Sequence, residues 1–175
     1  MIVIISSTNR KDSVTSKLSG IYLKEVAELG EKAELVDLCN LPDDYLVSAL
    51  YDQSGKNKDF KSTRELMRKA EKFVFIIPEY NGSFPGVLKA FIDGLAFPDT
   101  FTDKKCALVG LSSGQQGAGM ALSHLTDILN YCGTHVLAYK PKLSNIDDNM
   151  DMTEKVLSDR YLTFIKKQAE QFINF

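Results

Sequence analysis

The feature that most limits how this chain can fold is a regular alternation of short branched or aromatic apolar runs with longer stretches of helical spacing. Ile2-Val3-Ile4-Ile5 is continuously apolar, the pattern of a strand covered on both faces. From Ser13 onward, Val14, Leu18, Ile21, Tyr22, Val26 and Leu29 mark one face of a helix that Gly30 ends. Ala33 to Leu38 reads as a second strand. The pattern weakens from Cys39 to about Lys61, where Leu41-Pro42 is a break and Gln53 to Lys58 a polar loop. Phe60 to Ala70 reads as a helix, and Phe73 to Ile77 is the strongest strand, stopped by Pro78. Pro85 suits the first turn of a helix with Leu88, Phe91, Ile92 and Leu95 inward. Cys106 to Leu111 is a fourth central strand. Ala118, Ala121, Leu122, Leu125, Ile128, Leu129 and Cys132 follow at helical spacing. Val136-Leu137-Ala138 makes a short last strand, and a closing amphipathic helix runs from about Thr153 to Phe172.

Strands alternating with helices predict an open, mostly parallel α/β sheet with helices on both faces, in one domain spanning residues 1–175. Such sheets bind ligands beyond the carboxyl ends of their strands, where the strand order reverses. The loops after strands one, three and four are therefore the places to look for chemistry.

The composition narrows the classes of partner. Apolar residues make up 44% and charged residues 25%, which is ordinary for a globular protein. A net charge of −2 supplies no basic excess to neutralise phosphates, which argues against nucleic acid and acidic membranes as partners. Cys39, Cys106 and Cys132 are odd in number and far apart, which fits neither a disulfide framework nor a metal site. A reducing cytoplasm and small core residues are the expectation. The first strand begins at Ile2 with no basic region before it, so neither a signal sequence nor a membrane span is expected there.

The loop after strand one, Ser6 to Ser16, packs hydroxyls, Asn9 and Arg10 into the turn that opens a helix. A helix N-terminus presents free N–H groups and a positive dipole end, so it favours a phosphate, with the hydroxyls completing a cradle and Arg10 adding a charge-assisted bond. Plain capping by Ser13 would also explain part of this loop. Neither the Gly-rich dinucleotide fingerprint nor a P-loop is present.

The loop after strand three, Pro78 to Gly86, holds two prolines and two glycines that fix an unusual backbone course. Tyr80 offers a flat face to an aromatic ring, and Asn81 a donor and an acceptor to a heterocycle edge. A simple turn would need only Asn81-Gly82. The loop after strand four, Ser112 to Gly119, carries three glycines and again enters a helix, so its backbone can approach a flat ligand; a flexible helix cap is the competing reading.

Pro78-Glu79-Tyr80-Asn81, Ser83, Pro85-Gly86, Leu88-Lys89 and Ile92-Asp93 together resemble the long signature of the NADPH-dependent FMN reductases, a flavodoxin-like family that includes quinone, azo-dye and chromate reductases. Thr8, Asn9, Arg10, Ser13 and Thr15 are similar to that family's first-loop pattern. The resemblance implies a three-layer α/β/α sandwich with a five-stranded parallel sheet in the order 2-1-3-4-5. It implies that Arg10, Ser13, Thr15 and Ser16 surround the FMN phosphate, with Thr8 and Asn9 also binding the cofactor. It also implies that Pro78, Glu79, Tyr80, Asn81 and Gly82 run along the isoalloxazine ring, with Ser112, Ser113, Gly114, Gln115 and Gly117 at its other side. No protein acid, base or nucleophile is then needed, because the flavin carries the chemistry.

The implied activity is transfer of hydride from NADPH or NADH, through N5 of FMN, to a quinone, azo compound, flavin or similar small acceptor. A homodimer or homotetramer is implied as well. An electron carrier and a degenerate binding module that no longer holds FMN are the alternatives. The chain departs from the family pattern at Ser6-Ser7, where a glycine is usual, at Gln115-Gln116, where glycine and arginine are common, and at Gly94, where tryptophan commonly follows the aspartate.

Outside the loops, His124 and His135 are too few for a metal site and read as structural. Asp147, Asp148 and Asp151 read as a solvated loop capping the last helix, without calcium-loop spacing. Met120, His124, Asp127 and Tyr131 form a second stripe on their helix, read as a subunit interface.

Overall fold

The computed structural model describes residues 1–175. The elements in chain order are β1 (Ile2–Ser6), α1 (Val14–Glu28), β2 (Ala33–Asp37), α2 (Tyr45–Ser48), α3 (Lys61–Lys69), β3 (Lys72–Pro78), α4 (Gly86–Gly94), β4 (Lys105–Leu111), α5 (Gly119–Tyr131), β5 (His135–Val136), β6 (Lys142–Leu143), α6 (Ile146–Asn149), β7 (Met150–Asp151), β8 (Val156–Leu157) and α7 (Asp159–Asn174). The central strands run β2-β1-β3-β4-β5, all parallel, with β6 also pairing to β4. This is the flavodoxin-like order that the family resemblance implies.

Every residue of β1, and of β3 after Lys72, is buried, as strands covered on both faces must be. Alternate side chains feed two cores. Ile2, Ile4, Val74 and Ile76 pack with Leu18, Tyr22 and Val26 of α1 and with Ile165, Ala169 and Phe172 of α7. Val3, Ile5, Phe73 and Phe75 pack on the opposite face with Met67 of α3, Leu88 and Phe91 of α4, and Leu125 and Leu129 of α5.

The last strand differs from its expected form. It is not one run at Val136-Leu137-Ala138 but two short pieces, β5 and β6, separated by residues 137–141. Leu137 N–H still donates to Cys106 O at 2.8 Å, and Gly110 N–H to Pro141 O at 2.9 Å. Between these points the edge bulges away, and the buried Gln168 of α7 fills the gap. Its side-chain amide donates to Leu108 O at 2.9 Å and to Tyr139 O at 2.8 Å.

The closing helix starts at Asp159 rather than Thr153, because residues 150–157 fold back as the β7–β8 hairpin. Asp151 caps the hairpin turn, accepting from Thr153 N–H at 2.7 Å and Glu154 N–H at 2.9 Å. Asp151 of the acidic run therefore caps that turn and not the last helix, while Asp147 and Asp148 lie in α6. Pro85 precedes α4 instead of lying in its first turn, and Pro78 is the last residue of β3.

Gly94 has a local cause. A Cβ there would stand 2.1 Å from the Tyr45 hydroxyl, which donates to Phe91 O at 3.3 Å. Tyr45 fills the volume that a larger residue would need.

Removing the Gln168 amide leaves the buried Leu108 carbonyl without its partner. Gln168→Ala is expected to cost about 2 kcal/mol, from an unsatisfied group plus lost packing. Urea unfolding should show a lower midpoint at unchanged slope.

Candidate functional site

Because β1, β3 and β4 pair in register, Ser6 lies beside Ile76, Ile76 beside Val109, and Pro78 beside Leu111. The three strands end along one rim, and the loops that follow converge there. They enclose a cavity of about 330 Å³ whose walls come from all three loops.

The first loop supplies Arg10, Ser13 and Thr15 to this cavity. Ser13 caps α1, its Oγ accepting from Ser16 N–H at 3.1 Å. The earlier amides of the turn, Val14 and Thr15, have no intrahelical partner, so they are free for an anion. The third-strand loop contributes Pro78, Glu79 and Tyr80, and the fourth-strand loop Ser112 and Ser113.

The other predicted residues flank the cavity. Thr8 is buried beneath it, and its hydroxyl meets that of Tyr80 at 2.7 Å while accepting from Arg10 N–H at 3.3 Å. One side chain thus ties the first loop to the third-strand loop. Asn9 is exposed and faces a separate hollow beside Gly86 and Val87. Ser16 Oγ donates to Asp37 at 2.6 Å, turning toward the end of β2 rather than into the cavity.

Asn81 and Gly82, with φ of 51° and 75°, form a tight turn closed by Tyr80 N–H to Ser83 O at 2.8 Å and Ser83 N–H to Tyr80 O at 3.1 Å. Beyond it Ser83 Oγ is bonded to His124 Nδ1 at 2.9 Å, so His124 braces this turn from α5. Gly114 and Gln115 are exposed. Gly117, with φ of 56°, lies where a Cβ would come within 2.7 Å of the Lys142 backbone. Its role is close approach to β6.

Sequence reasoning missed Ile146, Asp147 and Met152, which complete the cavity wall. The fourth-strand loop carries them there: Ile146 N–H donates to Ser112 O at 3.1 Å, and Asn145 N–H to Gly114 O at 3.0 Å. Lys17 Nζ holds the hairpin by donating to Met152 O at 2.9 Å. The acidic run was the signal in this segment, but nothing in its spacing says that the chain turns back over the rim.

A larger apolar groove of about 500 Å³ lies between α4 and α5, lined by Ile92, Phe97, Phe101, Ile128 and Tyr131 among others. Its one lysine, Lys89, is paired with Asp93 at 2.7 Å, so it offers no ready anion site. Chemistry, not size, points to the three-loop cavity: an anion-binding helix start, a flat proline–tyrosine wall and an adjacent apolar lining of Leu111, Ile146 and Met152.

Comparison with known proteins bears on the family and the fold. The family model described as NADPH-dependent FMN reductase matches residues 1–145. An NAD(P)H-dependent FMN reductase of Pseudomonas aeruginosa is 31% identical over 149 residues, covering 81% of this chain and 76% of its own length. A 2-hydroxy-1,4-benzoquinone reductase of a Burkholderia species is 29% identical, covering 96% of this chain and 93% of its own. Among solved structures, an NADH:FMN oxidoreductase in its apo form superimposes with a TM-score of 0.80 at 20% identity, over 98% of this chain and 87% of that one.

The Thr8–Tyr80 bond holds two walls of the cavity in a fixed relation. Thr8→Val and Tyr80→Phe are each expected to weaken FMN binding by about 3- to 10-fold, the worth of one such bond. Fluorescence titration of the single and double variants should show that the two losses do not add.

Proposed function

This chain belongs to the NADPH-dependent FMN reductase family, and from that premise we propose how its loops divide the work of an NAD(P)H-dependent FMN oxidoreductase acting on quinone or azo acceptors. One observation carries the reading: a single cavity joins the start of α1 to the Pro78–Tyr80 wall. The first feature suits a phosphate dianion and the second a planar ring.

In this reading Ser13, Thr15 and the free amides at the start of α1 hold the FMN phosphate, with Arg10 adding a charge-assisted bond. Pro78, Glu79 and Tyr80 orient the ring, with the Asn81-Gly82 turn at its edge. Ser112 and Ser113 bound the far side, and Gly114, Gln115 and Gly117 shape the backbone behind them. Leu111, Ile146 and Met152 keep water from the buried part of the cavity. Bound FMN supplies the hydride chemistry between donor and acceptor. Thr8 and Ser16 act through others: Thr8 sets Tyr80, and Ser16 fixes α1 to Asp37.

Residues 1–175 act as one domain in this reading, and two copies pair through the α4–α5 face as a homodimer. Phe97 is 72% and Tyr131 85% exposed on either side of the apolar groove, and an isologous pair covers the same groove on both copies. The three cysteines are unpaired, and this reading puts the protein in a reducing cytoplasm. No helix is long and apolar enough to cross a membrane.

The visible spectrum of the purified protein with FMN, before and after anaerobic NADPH and then NADH, tests the activity. A bound-flavin band that bleaches within seconds is expected. A band that persists would replace the reductase reading with an electron carrier, and no bound band would leave only the fold. Sedimentation tests the pairing: wild type should run as a dimer at micromolar concentration, and Tyr131→Lys should shift it toward monomer. A wild-type monomer would remove the proposed interface.

A further inference from the structure

Three loops wall the cavity, and two side-chain hydrogen bonds join them. Thr8 joins the first loop to the third-strand loop through the Tyr80 hydroxyl. Ser83 Oγ and His124 Nδ1, 2.9 Å apart, join the third-strand loop to α5. The fourth-strand loop leads into α5, which starts at Gly119, so the second bond carries the link on to the last wall.

Neither Ser83 nor His124 lines the cavity. Ser83 lies within the Pro78–Gly86 loop, but its hydroxyl turns to α5 instead of the ring wall. Its backbone closes the Asn81-Gly82 turn, donating to Tyr80 O at 3.1 Å and accepting from Tyr80 N–H at 2.8 Å. A shift of Ser83 therefore carries the turn and the backbone of Tyr80 with it.

An Asn-Gly pair favours a turn of this shape but does not fix how the turn sits against the sheet. Two residues one turn apart on α5 do that. Met120 Cε and Sδ lie 3.9 Å from where a Gly82 Cβ would stand, and His124 holds Ser83. His124 is exposed and belongs to neither core, so its replacement leaves the packing of the domain intact.

We infer that His124 is a positioning residue for the flavin: through Ser83 it fixes the Asn81-Gly82 turn against α5, and so sets how tightly the third-strand loop holds the ring. The inference rests on the placement of FMN proposed above. The imidazole needs no charge for this role, because the serine hydroxyl both donates and accepts and pairs with either ring tautomer. His124 thus does from α5 what Thr8 does from the first loop, and the turn is held from both sides.

The test is FMN affinity, by fluorescence titration of the apo-protein, in His124→Leu, His124→Asn, Ser83→Ala and the His124→Leu/Ser83→Ala pair. Leucine removes the bonding group, whereas asparagine keeps one near the position of Nδ1. His124→Leu and Ser83→Ala should each weaken FMN binding by about threefold, the lower end of what one hydrogen bond is worth, since this one faces solvent. The pair should bind no more weakly than either single variant, and His124→Asn should regain most of the affinity. The visible bands of bound flavin should shift in the same direction in both weakened single variants and return in His124→Asn. The urea midpoint of each apo-variant should stay near that of the wild type, as expected for a surface site. Wild-type affinity in either His124→Leu or Ser83→Ala overturns the inference. Losses that add in the pair overturn it as well, because His124 would then act through the outer face of α5 and not through Ser83. Affinity that falls only in step with the urea midpoint makes the bond structural and also overturns it. A wild type that takes up no FMN removes the flavin placement itself, and the inference with it.

Discussion

The structure depends on the pairing of β3 with β1 on one side and β4 on the other. From Phe73 to Pro78 every residue of β3 is buried, and it shares a parallel register with both neighbours. A one-residue slip would turn Phe73 and Phe75 out of one core and Val74 and Ile76 out of the other, so the burial pattern fixes the register. With the register fixed, the ends of the three strands are level, and the loops that leave them share one rim. The site follows from core packing that touches no ligand.

At the rim, order comes from hydrogen bonds and backbone conformation more than from apolar burial. Thr8 links the first loop to Tyr80, and the Asn81-Gly82 turn closes on itself with His124 behind it. Gly110 and Gly117 let the fourth-strand loop press against β4 and β6; a Cβ on Gly110 would stand 2.6 Å from Gly117 O. These contacts arrange the cavity before a ligand arrives, which lowers the ordering cost of binding. The hairpin at 150–157 then adds Met152 to the wall of the inner cavity.

The strands of the sheet were legible because buried parallel strands write continuous apolar runs, as in Ile2–Ile5 and Phe73–Ile77, whereas their order came only from the resemblance to the family. The loops were legible because Pro, Gly, Asn and hydroxyl residues cluster where a backbone must do unusual things. Boundaries failed where a side chain or a turn substituted for a regular ladder. Gln168 completes the broken last strand from a distant helix, which no local pattern announces. Asp151 spends its carboxylate on a hairpin turn rather than on a helix start. Ile146, Asp147 and Met152 reach the cavity through backbone bonds to residues 112 and 114, so their part in the wall is a property of topology and not of composition. Ser16 carries the right hydroxyl at the right spacing, and its rotamer toward Asp37 cannot be read from sequence.

The proposed flavin site is the cavity of the three loops and not the larger apolar groove between α4 and α5. Backbone amide shifts recorded during an FMN titration test this most directly. Changes concentrated at residues 10–16, 78–82 and 112–117 are expected, with Ile146 and Asp147 moving alongside them. Changes centred on Ile92, Phe97, Ile128 and Tyr131, with the first loop unmoved, would contradict it.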